Sequence, residues 1–226
     1  MFLFKNYSSK DVQVPPKPII GVERRFVFQQ PVTLYLDEKY SFSGDDFSIK
    51  DSNGTSYFKC KGKTFSLRDK KVLYDLYDKP ILNIQENAFF GHGIKIYSGK
   101  STDNMLGSIS RKSLLKKNKY QYSFFNLATN ENDVLDIKCD FIGCSCGIFY
   151  GKEKEGAPMI CSITKTKQLF SFANGHDHYQ IRIAPNVDAS LMVALTLCYD
   201  ELKHERCIHI WSNTNLVDIM TICKTK

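Results

Sequence analysis

The residues best suited to chemistry in this sequence are basic, and five of them fall within nine positions. They are Arg111, Lys112, Lys116, Lys117 and Lys119. No acidic residue follows them before Glu131. Because each Lys or Arg near an anionic bilayer contributes about 1 kcal/mol, this cluster predicts weak, salt-sensitive binding to anionic phospholipid head groups. The alternatives are a solvated loop that only keeps the protein soluble and, less favoured, contact with nucleic acid.

A second set of basic residues surrounds the first predicted hairpins. It consists of Lys59, Lys61, Lys63, Arg68, Lys70 and Lys71. The whole chain of 226 residues has 31 Lys and Arg against 24 Asp and Glu, a net charge of +7. This excess favours an anionic partner without specifying which one.

Catalytic and metal-binding patterns are missing from the sequence. It contains no Gly-x-Ser-x-Gly, no glycine-rich phosphate loop and no His-Glu-x-x-His. Cys144-Ser145-Cys146 lacks the spacing of a zinc knuckle, and His176-Asp177-His178 has no second ligand pair at a suitable distance. We therefore expect a protein that is not an enzyme and that has no cofactor and no metal.

Eight cysteines are scattered along the chain. The apolar start at residues 1–4 is too short for a secretory signal, because Lys5 follows at once. Free thiols in a reducing compartment are favoured over a disulfide scaffold. The expected location is the cytoplasm, including the surface of membranes and exchange with the nucleus.

The elements that position these residues are mostly strands. Short apolar alternations bounded by turn residues occur at 31–36, 47–50, 57–60, 93–97, 106–109, 120–124, 135–139, 146–150, 159–163 and 179–183. A shift of about 24 residues superposes Ile49 on Leu73 and Asp51 on Asp75, which predicts two successive hairpins of the same register. About twelve strands with almost no helix indicate a mainly β fold, a closed antiparallel barrel.

The most apolar stretch follows the last predicted strand. Residues 189–199 are apolar nearly all round, with Asn186 or Asp188 as the N-cap. Acidic residues at 188 and 200 enclose only eleven residues, roughly 17 Å of helix, too short to span a membrane. We expect a central hydrophobic helix at about 188–203, buried inside the barrel.

Three stretches of the chain resemble the LURP-one-related family. They are GDDFSIKDSNGTSYFKCKGKTFSLRDKKVLYDLYDKPILNI (44–84), IKCDFIGCSCGIFYGKEKEGAPMICSI (137–163) and HYQIRIAPNVDASLMVALTLCYDELKHE (178–205). The resemblance covers residues 20–206 and implies a twelve-stranded barrel around a central helix, shared with the Tubby C-terminal domain and the phospholipid scramblases. The corresponding domain division is a flexible N-terminal arm (1–18), the barrel (19–206) and a C-terminal extension (207–226).

The resemblance also implies classes of function. The expected function is non-enzymatic, that of a phosphoinositide- or membrane-tethered adaptor or transcription regulator, with a role in defence as in plant members of the family. One alternative is a protein-interaction module that uses residues 207–226. A second is phospholipid scrambling, which the sequence disfavours because the calcium-binding and palmitoylated segments of scramblases have no counterpart here.

Overall fold

The computed structural model describes residues 6–41, 44–63, 70–86, 93–112, 119–140, 144–166 and 178–213, and only the backbone of 38–41, 44–45, 63 and 203–213. Its strands are β1 (Val32–Ser41), β2 (Gly44–Asp51), β3 (Ser56–Lys63), β4 (Lys70–Tyr74), β5 (Pro80–Glu86), β6 (Ile94–Ser98), β7 (Met105–Arg111), β8 (Lys119–Asn126), β9 (Glu131–Cys139), β10 (Ser145–Tyr150), β11 (Met159–Lys165) and β12 (His178–Ile183). The helix α1 (Ala189–Asn213) follows, and short 3-10 turns lie at Arg24–Phe26 and Glu153–Glu155.

The twelve strands form one closed barrel. Each strand is antiparallel to its neighbours in sequence, and β1 pairs with β12 to close the sheet. The closing register runs from Val32 opposite Ile183 to Asp37 opposite His178. The predicted fold class, a closed antiparallel barrel around a hydrophobic helix, is confirmed.

Strand periodicity decides which side chains fill the barrel. In β8, Tyr120, Tyr122 and Phe124 are buried, whereas the alternate residues Ser123 and Phe125 are exposed. Successive side chains of a strand point to opposite faces, so the aromatic residues face the interior. Tyr120, Tyr122 and Phe124 therefore belong to the core and offer no surface on which bases could stack.

The predicted repeat corresponds to two hairpins with the same geometry. Asp51 accepts hydrogen bonds from the amides of Asn53 and Thr55, both at 2.9 Å. Asp75 does the same for the amides two and four residues further on, at 3.0 and 2.9 Å. A β-bulge follows Ile49 in one hairpin and Leu73 in the other. Turn and bulge thus recur 24 positions apart, as the sequence predicts.

The helix fills the interior of the barrel. Every residue of α1 from Ala189 to Asp200 is at most 2% exposed. Its apolar side chains belong to the same buried cluster as the inward residues of the strands. A helix surrounded by a barrel has no solvent face, which explains its all-round apolar character. Of the helices in the described ranges, none combines the length and the apolar content that a membrane crossing requires.

The two ends of the helix differ in how well the sequence predicts them. Asp188 is the N-cap, since its carboxylate accepts hydrogen bonds from the amides of Ser190 at 3.0 Å and Leu191 at 3.3 Å. Asn186, the other candidate, has a left-handed backbone with a φ of 63°. The helical backbone continues to Asn213, ten residues beyond the predicted end near 203. It therefore includes the first residues of the predicted C-terminal extension, and residues 214–226 lie outside the described ranges.

The N-terminal segment packs on the outside of the barrel, in contrast to the expected flexible arm. Tyr7 is only 2% exposed and forms a small apolar cluster with Phe149 and Met159. Its amide donates a hydrogen bond to the Ser145 hydroxyl at 3.1 Å. A Cβ on Gly147 would lie 2.8 Å from the Tyr7 ring, so this position must be glycine for the ring to fit.

Backbone contacts extend the attachment of this segment. Arg182 on β12 donates to the carbonyls of Ser8 and Lys10, both at 2.6 Å. The amide of Gln13 donates to the carbonyl of Met159 at 2.8 Å. Residues 7–13 are thus held across β10, β11 and β12 by side-chain burial and by hydrogen bonds that the sequence pattern does not reveal.

Candidate functional site on the outer face of the barrel

The predicted basic cluster lies where β7 ends and β8 begins. Arg111 is the last residue of β7 and Lys119 the first of β8. The amide of Lys112 donates to the carbonyl of Lys119 at 3.1 Å, which holds the two strand ends together. Lys116 and Lys117 lie outside the described residues. The structure therefore brings together three of the five predicted residues.

Acidic side chains from neighbouring elements compensate part of this charge. The Lys112 ammonium forms an ion pair with the buried Asp136 of β9. The nearby Lys138 lies 3.9 Å from Asp136 and 3.3 Å from Glu153. The sequence shows no acid close to the cluster along the chain, but the pairing of β8 with β9 brings one into contact. The positive electrostatic field that an anionic ligand would meet at this cluster is therefore weaker than the sequence alone suggests.

The second basic set is divided between the two faces of the barrel. Lys59 and Lys61 point outward from β3, and Lys70 points outward from β4. Lys71, the next residue, is buried against the helix. The structure does not describe the Lys63 side chain or any of Arg68.

Lys71 anchors the helix to the barrel wall. Its ammonium forms an ion pair with Glu201 and lies 3.7 Å from Asp200. It also lies 4.8 Å from the centroid of the Phe47 ring. Burial lowers the pKa of Lys71, but the two carboxylates raise it by more, so the net pKa is above the usual range. Lys71 therefore has a structural role. Its ammonium already contacts two carboxylates of the protein, so it is not available to an anionic ligand.

Two lysines lie beside the ring of Tyr74 and a third contacts the backbone of one of them, and these residues define the Tyr74 cluster (Lys61, Lys70, Tyr74 and Lys100). The ammonium groups of Lys61 and Lys100 lie 5.1 and 5.3 Å from the centroid of the Tyr74 ring. The Lys70 ammonium donates to the Lys100 carbonyl at 2.5 Å. An aromatic ring within about 6 Å of an ammonium group stabilises the cation, so the ring offsets part of the repulsion between these charges.

A fixed loop places Lys100 beside this ring. The Asn83 side-chain amide donates to the carbonyls of Gly99 at 2.9 Å and Ser101 at 2.8 Å. The amide of Gly99 donates to the carbonyl of Ile81 at 2.9 Å. Asn83 is fully buried beneath the loop. The loop is thereby fixed on the outside of β5, so the Lys100 backbone is positioned before any ligand arrives.

The cluster carries uncompensated charge. Within the described part of the chain, no acidic side chain forms an ion pair with Lys61, Lys70 or Lys100. The adjacent Lys59 is paired with Asp78 at 3.4 Å. Three residues beyond Tyr74, at the turn of the same hairpin, the Tyr77 side chain is 90% exposed. The β4–β5 hairpin thus combines ammonium groups with an exposed aromatic residue.

Sequence reasoning singled out Lys61 and Lys70 but missed Tyr74, Tyr77 and Lys100. Outward alternation on β4 is the signal that places Tyr74 on the same outer face as Lys70. Lys100 has no comparable signal, because its position depends on the loop that Asn83 anchors. A metal site has no support among the described residues, where no group of three His, Cys, Asp or Glu side chains has suitable geometry.

The fold defines a class, that of closed antiparallel β-barrels built around a C-terminal helix. A solved X-ray structure of a protein from Arabidopsis thaliana has the same fold, with a TM-score of 0.58 at 21% identity over 81% of this chain and 98% of that one. The LURP-one-related family model matches residues 32–200. The chain therefore belongs to the LURP-one-related family.

Curated relatives agree with this assignment. Protein LURP-one-related 10 of Arabidopsis thaliana is 30% identical over 190 residues, which cover 81% of this chain and 96% of that protein. Protein LURP-one-related 15 of the same plant is 25% identical over 198 residues, covering 84% and 90%. The similarity thus spans more than four fifths of this chain and most of each relative.

Proposed function

We propose that this protein is a non-enzymatic module that binds anionic lipid surfaces through the Tyr74 cluster. The observation that carries the proposal is the pair of ammonium groups, of Lys61 and Lys100, beside the Tyr74 ring, with the Lys70 ammonium bonded to the Lys100 carbonyl and no acidic partner for any of the three in the described ranges. Elsewhere in the predicted basic sets, Lys112 and Lys71 are paired with carboxylates. The positive charge of the Tyr74 cluster is not neutralised in this way within the described ranges, so it can attract an anionic ligand. This binding would tether the protein to a membrane, where it would act as an adaptor or regulator, including one with a role in defence.

The geometry favours a lipid surface over other anionic partners. Lipid phosphates at a membrane surface lie beside an apolar boundary where Tyr is enriched, and Tyr77 extends from the hairpin that carries the cluster. Single-stranded nucleic acid is bound through several aromatic rings on which successive bases stack. On the β4–β5 hairpin only Tyr77 has such an open ring, because two lysines lie beside the ring of Tyr74. The hairpin therefore suits a surface with phosphates and an apolar boundary.

The expected affinity is modest. At about 1 kcal/mol for each lysine near an anionic bilayer, the three lysines contribute about 3 kcal/mol. This corresponds to roughly a 100-fold change in affinity at low salt. Binding is expected to weaken as ionic strength rises, because exposed charges are screened over about 10 Å at 0.1 M salt.

Liposome sedimentation tests the proposal. The triple variant Lys61→Ala, Lys70→Ala, Lys100→Ala should lose most of its binding to vesicles of phosphatidylcholine with phosphatidylserine or a phosphoinositide. Binding to pure phosphatidylcholine should be negligible for every variant. Preference for the phosphoinositide at equal vesicle charge would indicate head-group recognition, and equal binding would indicate a general anionic surface.

A matched control removes the same charge from elsewhere. Lys10, Lys17 and Lys152 are exposed and pair with glutamates at 3.4, 3.3 and 2.8 Å. Their triple alanine variant should bind nearly as well as the unmodified protein. An equal loss of vesicle binding in both triple variants would show that binding depends only on the net charge of the protein and not on the Tyr74 cluster. No binding to anionic vesicles by the unmodified protein would refute the proposed function.

The predicted loop cluster is tested separately. Replacing Lys116, Lys117 and Lys119 by alanine should weaken sedimentation further only if this loop also contacts the bilayer. Tight, sequence-selective DNA binding by the unmodified protein would instead support the nucleic-acid alternative.

A further inference from the structure

We propose that Cys139 and Cys146 form a dithiol site that peroxides oxidise to a disulfide and thiol reductants restore. The two residues lie directly opposite each other on β9 and β10. Their sulfur atoms are 3.4 Å apart, and both side chains are buried. The site is on the inner face of the barrel and is independent of the outer lysines in the proposed function.

Strand pairing gives this pair the backbone separation that a disulfide needs. The amide of the adjacent Asp140 donates to the carbonyl of Ser145 at 2.9 Å, which makes their position a hydrogen-bonded one. Hydrogen-bonded and non-hydrogen-bonded positions alternate along an antiparallel pair, so Cys139 and Cys146 occupy a non-hydrogen-bonded position. The Cα atoms at such positions are about 4.5 Å apart, within the range of about 4.4–6.8 Å found for disulfides.

The local turn holds the two strands in this register. The Asp140 carboxylate accepts hydrogen bonds from the amides of Cys144 and Ser145, both at 2.8 Å. It also accepts one from the Ser145 hydroxyl at 2.8 Å. The ends of β9 and β10 are therefore fixed before any reaction, and the two sulfur atoms need only a small change of side-chain rotamer to bond.

Access for an oxidant comes from the rim of the barrel. Cys139 is the last residue of β9 and is 6% exposed, whereas Cys146 is fully buried. A peroxide small enough to reach the Cys139 sulfur loses its O–O bond to that sulfur, giving a sulfenic acid and one water when hydrogen peroxide is the oxidant. The Cys146 thiol then attacks the Cys139 sulfur, the S–O bond breaks, and a second water leaves. In sum, two thiols and one hydrogen peroxide become one disulfide and two waters.

Peptide mapping of the full-length protein tests the proposal. The protein is treated with hydrogen peroxide, unfolded in urea with an alkylating reagent, and digested with trypsin and chymotrypsin. Cleavage after Phe141 separates the two cysteines, so a disulfide joins two peptides that reduction with dithiothreitol releases. We expect the Cys139–Cys146 linked pair, with Cys144 alkylated.

Two single substitutions control the assignment. Cys144→Ser should leave the linked pair unchanged, because this neighbouring cysteine takes no part in the reaction. Cys139→Ser should abolish it while the circular dichroism spectrum stays that of the barrel. Alkylation of both Cys139 and Cys146 after peroxide treatment of the unmodified protein would overturn the proposal. A disulfide from either residue to a different cysteine would overturn it as well.

Discussion

Replacement of Asp188 by alanine should destabilise the barrel more than any loss of a turn carboxylate on its surface. One carboxylate oxygen accepts from the amides of Ser190 and Leu191 at the start of α1. The other accepts from the amides of Val22 at 2.8 Å and Glu23 at 3.1 Å. The carboxylate thus fixes both the helix start and the segment that leads into β1, and Asp188 is fully buried.

The magnitude follows from four amide donors left without an acceptor. At about 1 kcal/mol each they amount to about 4 kcal/mol. Burial raises the pKa of Asp188 although its hydrogen bonds lower it, so relief of a desolvated charge returns part of this energy. We expect a net loss of roughly 3 kcal/mol, which lowers Tm by roughly 6–12 °C for a chain of this size. Asp188→Asn should lose about half as much stability. The asparagine oxygen can still accept from two of the amides, whereas its NH2 group cannot accept from the other two.

Urea unfolding followed by circular dichroism measures these losses. Asp51→Ala is the matched control, since Asp51 also accepts from two amides but lies in an exposed turn. Water replaces the carboxylate there, and the expected loss is below about 1 kcal/mol. Equal losses for Asp188→Ala and Asp51→Ala would refute the argument that the buried carboxylate joins two segments.

Two further outcomes are expected. Burial raises the pKa of Asp75, but the bonds from Arg25 and from two turn amides lower it by more. This carboxylate therefore stabilises the fold above its unfolded pKa of about 3.9, and the stabilisation disappears as pH falls through the folded pKa. Urea midpoints of the unmodified protein and Asp75→Asn should differ at pH 7, and the difference should shrink as the pH falls below about 3.9. A difference that stays constant over this range would contradict the linkage. Gly147→Ala should displace Tyr7 and speed proteolysis of the N-terminal segment, with the barrel spectrum unchanged, and unaltered cleavage would show that the ring tolerates the methyl group.

The fold is largely predictable because its periodicities are local. Alternation in β12 places Tyr179, Ile181 and Ile183 inside, and the sequence shows that pattern directly. The helix is equally clear, since residues 189–199 have no polar stripe. In both cases the side chains that face the core recur at the period of the strand or helix, so the pattern is visible in consecutive residues of the sequence.

The site is less predictable because its contacts join distant positions. The ion-pair partner of Lys112 is Asp136, which is 24 residues away and meets it because β7 pairs with β8 and β8 with β9. Lys70 and Lys71 are identical in type, yet strand alternation directs one outward and the other into an ion pair with Glu201. The burial of Tyr7 has no periodic signal in the sequence, because it depends on one ring that packs against residues distant in the chain.

The order of the elements has a consequence for synthesis on the ribosome. β1 is made before the other eleven strands, but one of its edges pairs with β12, from Val32 opposite Ile183 onward. The helix that fills the interior is made later still. Until both have emerged, the growing chain has a curved sheet with two open edges and an unfilled apolar face, the features that promote aggregation. The barrel therefore closes only after the last strand and the helix have both left the ribosome.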